Sequence, residues 1–372
     1  MNATAASTAP ATRAERLAAA VAERDLDALI VSDLFDIRWL TGFTGSNAVV
    51  VVGVAGDGPP VLRFVTDFRY VSQAAEQVPD PWERIDGGRD LGGAGLVAHL
   101  PEGARRIGFD AGHLSVAAHK RLSDALPSGI DLQPADAIGD LRAVKDSGEV
   151  ARIRAAAELA DAAFREVVLE GPVVGRTEAA VALDLEFAMR KLGASGNSFD
   201  PIVACGPHGA LPHASPRDVE IPAGVLLTVD WGAILDGYCS DCTRTVATGP
   251  ISDRAREVYE LVLDAQQRSL AAVREGAGAR DVDAVAREII AAGGYGERFG
   301  HGLGHGVGLE VHEPPTLSPR GGGALRAGEI VTVEPGIYLP GELGVRIEDL
   351  AVVTADGSDV LNTLPKDLVT VG

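Results

Sequence analysis

Cysteine is scarce in this 372-residue chain. Cys205, Cys239 and Cys242 are too few and too unevenly placed for a disulfide framework. Basic charge is short as well: 33 Lys and Arg stand against 53 Asp and Glu, a formal net charge of −20. Nucleic acids and anionic membranes recruit proteins through a basic face, so neither is an expected partner. Long apolar runs are missing too. No stretch approaches the roughly 18 apolar residues a bilayer span needs. The amino-terminal MNATAASTAPATRAERLAAAVAERD has no uninterrupted apolar core of the secretory kind. A soluble, cytoplasmic protein is the expectation, with the first ten or so residues as a frayed tail.

Cys239-Ser240-Asp241-Cys242 does match the C-x-x-C spacing. No second cysteine pair exists to complete a structural zinc site, and no strand-to-helix junction follows to give a redox setting. Two small residues in a strand is the better reading.

What is present divides near residue 140. In residues 1–140, DALIVS, NAVVVVGV, VLRFVTD and RRIGFD read as strands, with RAERLAAAVAERD and FRYVSQAAEQV as helices between them, an α/β domain. In residues 141–372, Asp146 and Glu149 form a capping-box signal for a long helix with apolar residues at Val150, Ile153, Ala157, Ala160, Phe164 and Val167. Further helices are expected over Thr177–Gly193, Ser252–Gly276 and Asp281–Gly293, among strand runs joined by glycine turns. This second part is an α+β domain, and it holds nearly all the residues able to do chemistry.

Two aspartates sit where strands should be apolar: Asp230 in LLTVDW and Asp241 in CSDCTRT. Asp236-Gly237 is a type I′ hairpin signal between them. A two-residue turn there pairs Leu235 with Tyr238 and Asp230 with Thr243, which makes Asp241 the diagonal neighbour of Asp230 on one face. Two like charges converging in a buried place require a shared proton or a cation. Glu334 and Glu348 repeat the pattern around Pro340-Gly341, where an odd-length hairpin sets them opposite one another. Between the hairpins lies FGHGLGHGVGLEVHE, with His301, His305 and His312 among glycines that let backbone approach closely and that disfavour a helical zinc motif. Four carboxylates with a histidine form a hard, oxygen-rich set. Two divalent ions balance it, with Mn²⁺ the expected metal and Zn²⁺ or Co²⁺ the alternatives.

Taken together, VDWGA, SDCTRT, GHGVGLEVHE, VEPGIY and RIED resemble the pita-bread metallopeptidase family, in the branch of creatinase, prolidase and aminopeptidase P. LTGFTGSNAVVVV and TDFRY are similar to the amino-terminal domain of that branch, so the resemblance spans essentially the whole chain. It implies an α/β amino-terminal domain (1–140) followed by an α+β pita-bread catalytic domain (141–372). It implies Asp230, Asp241, His305, Glu334 and Glu348 as metal ligands, and their full presence argues against a metal-free creatinase or a non-catalytic binding protein. His213 and His312 match positions the branch uses to assist catalysis, His213 at the substrate carbonyl and His312 at the developing charge. Glu334 is the implied proton shuttle. Arg346, two residues before Glu348 on one strand face, is expected to orient ligands. His301 is read either as support for the site or as purely structural. The implied reaction is hydrolysis of the X–Pro bond at the amino terminus of peptides with proline second, by an aminopeptidase P. The alternative is an Xaa-Pro dipeptidase, and a homodimer is implied.

Overall fold

The computed structural model describes residues 12–54 and 58–372. The expected frayed tail therefore lies outside the described residues. The chain gathers into two compact units, the first closing at Arg142 and the second running from Ala143 to Gly372. Among the described residues no helix is long and apolar enough to cross a membrane.

In the first unit, six strands form one sheet: β1 (Ala28–Val31), β2 (Ala48–Gly53), β3 (Val61–Thr66), β4 (Glu83–Asp86), β5 (Arg106–Phe109) and β6 (Asp131–Pro134), in the order β4-β3-β2-β1-β5-β6. The pairs β1/β2 and β2/β3 are antiparallel, and β1/β5, β3/β4 and β5/β6 are parallel. The all-valine centre of β2 is buried on both faces, as a central strand with covered faces requires. Helices Leu34–Thr41 and Val116–Ala125 carry weaker periodic signals than Arg13–Glu23 and are additions to the expected elements.

The second unit opens with helix Ser147–Phe164, whose capping box is complete: Asp146 accepts from the Glu149 amide and Glu149 from the Asp146 amide. Its buried face includes Ile153, Ala157, Ala160 and Phe164. Trp231 stacks on Phe164 at 4.2 Å and donates its indole N–H to the Ala160 carbonyl. Helices Glu178–Lys191 and Asp253–Ala272 follow, capped by Thr177 and Ser252. The next helix begins at Ala279 rather than at Asp281. Gly278 takes the N-cap position and supplies no side-chain cap. Asp281 instead lies in the first turn, where negative charge favours the helix dipole.

After the short strands β7 (Gly196–Asn197) and β8 (Ile202–Cys205), two long hairpins carry the polar strand residues. β9 (Leu226–Trp231) and β10 (Ala233–Leu235) run into a turn at Asp236-Gly237, where φ is 49° and 82°. β11 (Tyr238–Cys239) and β12 (Cys242–Ala247) return, with Leu235 opposite Tyr238 and Asp230 opposite Thr243. The second hairpin comprises β13 (Ile330–Val333), β14 (Gly336–Leu339), β15 (Leu343–Arg346) and β16 (Asp349–Val353). Its pairs Val333/Asp349 and Gly336/Arg346 share one register on either side of a break.

Candidate metal centre

Three acidic residues fall at interruptions of these hairpins rather than within a continuous ladder, which is a correction to the expected regular strands. Asp241 lies between β11 and β12, Glu334 between β13 and β14, and Glu348 between β15 and β16. At the first gap Gly232 lies against the Ser240 carbonyl, where a Cβ would stand 2.0 Å away. Ser198 Oγ donates to that carbonyl at 2.8 Å, so a side chain satisfies what the ladder leaves open. Breaking the ladder frees these carboxylates to turn toward one point.

Asp230 is the penultimate residue of β9, and all six residues of that strand are buried. His305 comes from the short strand Gly304–Gly306, where a Cβ on Gly304 would stand 2.0 Å from the Thr332 carbonyl. Ligand-capable atoms of Asp241, His305 and Glu348 all lie within 4.8 Å of one another. His305 Nε2 is 3.3 Å from Glu334 Oε1 and 3.7 Å from Asp241 Oδ2. Its Nδ1 donates to the Gly306 carbonyl at 3.1 Å, which turns Nε2 toward the carboxylates: a protonated ring donates from Nε2 to Glu334, and a neutral ring offers Nε2 to a metal.

The electrostatics follow from that convergence. Burial, and then the charges of Glu348, Asp230 and Glu334, push the Asp241 carboxyl well above the usual carboxylate range. Burial and the charges of Glu334 and Asp230 do the same at Glu348. Asp230 is also raised, chiefly by burial, although Arg346 pulls against it. Glu334 is the exception. Burial pushes it up, but the His305 hydrogen bond and the positive groups around it hold it below its ordinary value. Asp230 Oδ1 is buried with no hydrogen-bond partner. A carboxylate oxygen left bare in the interior is costly. The orphaned oxygen, the converging hard ligands and the inward-facing imidazole Nε2 fit divalent metal.

Around this cluster, Arg346 donates to Asp230 Oδ2 at 2.5 Å, to Thr243 Oγ1 at 3.0 Å, to Tyr338 Oη at 2.9 Å and to the Pro212 carbonyl at 3.2 Å. Thr243 in turn donates to Glu348 Oε2 at 2.7 Å. Thr243 and Tyr338 went unread in the sequence; Thr243 was legible as the register partner of Asp230. His301 is tied at both nitrogens, to the Gly302 carbonyl and at 2.9 Å to Tyr338 Oη. His213 and His312 line the same cavity of about 480 Å³ as the acidic cluster. The His312 ring stands edge-on to His305 at 4.3 Å. Cys239 and Cys242 are buried thiols outside any disulfide among the described residues, meeting the Leu309 and Glu348 carbonyls respectively.

Residues 151–355 match the metallopeptidase family M24 model, and residues 13–144 match the creatinase/prolidase N-terminal domain. The chain belongs to metallopeptidase family M24. An Xaa-Pro dipeptidase of Pyrococcus furiosus is 42% identical over 96% of this chain and 99% of its own. Two solved structures share the fold of this M24 peptidase. The Xaa-Pro dipeptidase from Bacillus anthracis superposes with a TM-score of 0.91 at 39% identity, covering 96% of this chain and 98% of that one. The X-Pro aminopeptidase from Thermotoga maritima MSB8 does so at 0.85 and 35%, covering 97% and 100%. The expected fold, an α/β amino-terminal domain before an α+β pita-bread domain, is the fold of this M24 chain.

Proposed function

We propose that this chain is a metal-dependent Xaa-Pro dipeptidase, with Asp230, Asp241, His305, Glu334 and Glu348 holding two divalent ions, Mn²⁺ first among them. The observation that carries the metal reading is the convergence of Asp241, His305 and Glu348 beside the orphaned Asp230 oxygen. The names of the relatives favour the dipeptidase over the aminopeptidase P expected from the sequence. A cytoplasmic homodimer is part of the proposal.

When bound, the ions supply Lewis-acid polarisation and a water acidic enough to react near neutral pH. The chain's own groups do the rest. Glu334, ionised through its contact with His305, accepts a proton and passes it to the departing proline nitrogen. Burial and the neighbouring His305 lower the pKa of His312, which keeps its imidazole neutral at pH 7 and able to donate a hydrogen bond to charge developing on the carbonyl oxygen. His213 holds the substrate across the cavity. An X–Pro bond has no amide hydrogen, so a site recognising carbonyls through histidines suits it.

One observation favours the aminopeptidase as the second reading. Among the described residues lining the cavity, Arg346 is the sole Lys or Arg, and Asp230, Thr243, Tyr338 and Pro212 already occupy it. A free dipeptide carboxylate finds no further ammonium or guanidinium among those lining residues. The deciding experiment strips the protein with chelator, restores Mn²⁺ and follows Ala-Pro beside Ala-Pro-Ala-Ala by mass spectrometry. Cleavage of Ala-Pro alone supports the dipeptidase, and release of Ala from the tetrapeptide supports the aminopeptidase. Metal binding with no cleavage of either removes the proline-peptidase reading.

A further inference from the structure

His213 lines the cavity from a loop between the short strand Ile202–Cys205 and Arg217, and its ring is exposed. Among the described residues nothing hydrogen-bonds to that ring, so its place depends on the backbone that carries it. The middle of the loop is held by Arg346 at the Pro212 carbonyl and by close packing of Gly209 on Gly344, where a Cβ would stand 1.8 Å from the Gly209 oxygen. Both ends of the loop meet one side chain.

That side chain is Glu178, fully buried at the start of helix Glu178–Lys191. On the incoming side it accepts from the Cys205 amide at 2.9 Å and from His208 Nδ1 at 2.9 and 3.1 Å. On the outgoing side it accepts from the Arg217 amide at 3.1 Å and from the Arg217 guanidinium at 3.0 and 3.1 Å. All of these donors belong to the flanks of the His213 loop. We propose that Glu178 is a positioning residue that clamps the two ends of this loop together and so fixes His213 in the cavity. The proposal rests on the peptidase reading for His213 and adds to it a residue outside the metal cluster.

A small displacement is enough to matter, because catalytic groups lose much of their effect when misplaced by about 1 Å. The buried carboxylate is suited to the task. It is satisfied by charge-assisted bonds to a guanidinium and to backbone amides, which are short and directional. Backbone pairing of Ala179 with Arg217 and of Glu178 with Val219 persists when the side chain changes, so the helix stays docked.

The test is a double-mutant cycle on the Mn²⁺-loaded full chain, using Glu178→Gln, Arg217→Ala and His213→Ala. Glu178→Gln is expected to lower kcat/KM about tenfold in the wild-type background and less than about twofold when His213 is already Ala, because a residue acting through another loses its effect once that other is gone. Arg217→Ala, at a half-exposed side chain that tolerates truncation, is expected to behave alike at about threefold. Mn²⁺ affinity stays unchanged. In metal-free protein, amide hydrogen exchange over residues 206–217 quickens in Glu178→Gln while β9 and β12 keep their protection. Equal losses in both backgrounds, unchanged exchange, or lost metal binding overturns the proposal. If Glu178→Gln fails to fold, Arg217→Ala decides. If the wild type cleaves neither peptide, the peptidase reading falls, and the exchange experiment still decides whether Glu178 holds the loop.

Discussion

Glu348 and Asp349 are neighbours in the chain, and each is 1% exposed. Strand alternation sends them to opposite sides of the hairpin. Asp349 meets Arg244 at 2.8 Å, Lys366 at 2.6 Å and Gln266 at 3.0 Å. Burial pushes its carboxyl up, but Arg244 and Lys366 outweigh burial and hold it below the ordinary value. Glu348 has Thr243 as its donor and faces Glu334 and Asp230, so burial and like charge drive it well above the ordinary value. Equal burial with opposite outcomes separates two uses of a buried carboxylate. One is completed by the protein's own cations. The other is left for something the protein does not supply.

The sharpest way to break the comparison is to neutralise each residue in turn. Glu348→Gln should cost peptide hydrolysis at least about 10³-fold, because metal chemistry depends on the ligand charge. Calorimetric titration with Mn²⁺ should show the matching loss of binding. The same change should leave the melting temperature in chelator unaltered or raised, since it removes a charge that the metal-free interior disfavours. A large drop in that melting temperature would mean that protein donors alone hold Glu348.

Asp349→Asn should do the opposite. It strands the Arg244 guanidinium, 2% exposed, without its carboxylate, and breaking a buried pair in this way costs about 3–5 kcal/mol. Urea unfolding should show the loss as a lower midpoint, while the folded fraction still binds Mn²⁺. A stability change near zero would place Asp349 and Glu348 in one class after all.

Little in the sequence separates these neighbours, because RIED presents two acids in a row. What the sequence does carry is register. Asp236-Gly237 and Pro340-Gly341 are local turn signals, and a turn fixes every pairing that follows it. Asp230 opposite Thr243 was therefore legible from the local sequence, as was the midpoint between Glu334 and Glu348. The ladder breaks at Asp241, Glu334 and Glu348 were not, since they depend on side chains such as Ser198 from a distant segment. The Glu178 clamp was hidden for the same reason. Glu178 and Arg217 lie 39 residues apart, and an acid after a threonine at a helix start reads as ordinary dipole compensation.

Glu178 also sharpens the comparison through pH. Burial is the strongest influence on it and raises its pKa, yet Arg217, Cys205 and His208 together bring it from 4.5 down to about 2. A carboxyl whose folded pKa is depressed adds stability that is present above its unfolded pKa of 4.5 and is lost as pH falls through about 2. The half-exposed Arg217 partner is screened by solvent, so the contribution is on the order of 1–2 kcal/mol. Melting curves in chelator between pH 2 and pH 6 should show wild type and Glu178→Gln separated at the upper end and converging as acid protonates Glu178. Parallel curves across that range would mean that the carboxylate charge contributes nothing, and that any hold Glu178 has on the loop comes from shape and neutral hydrogen bonds.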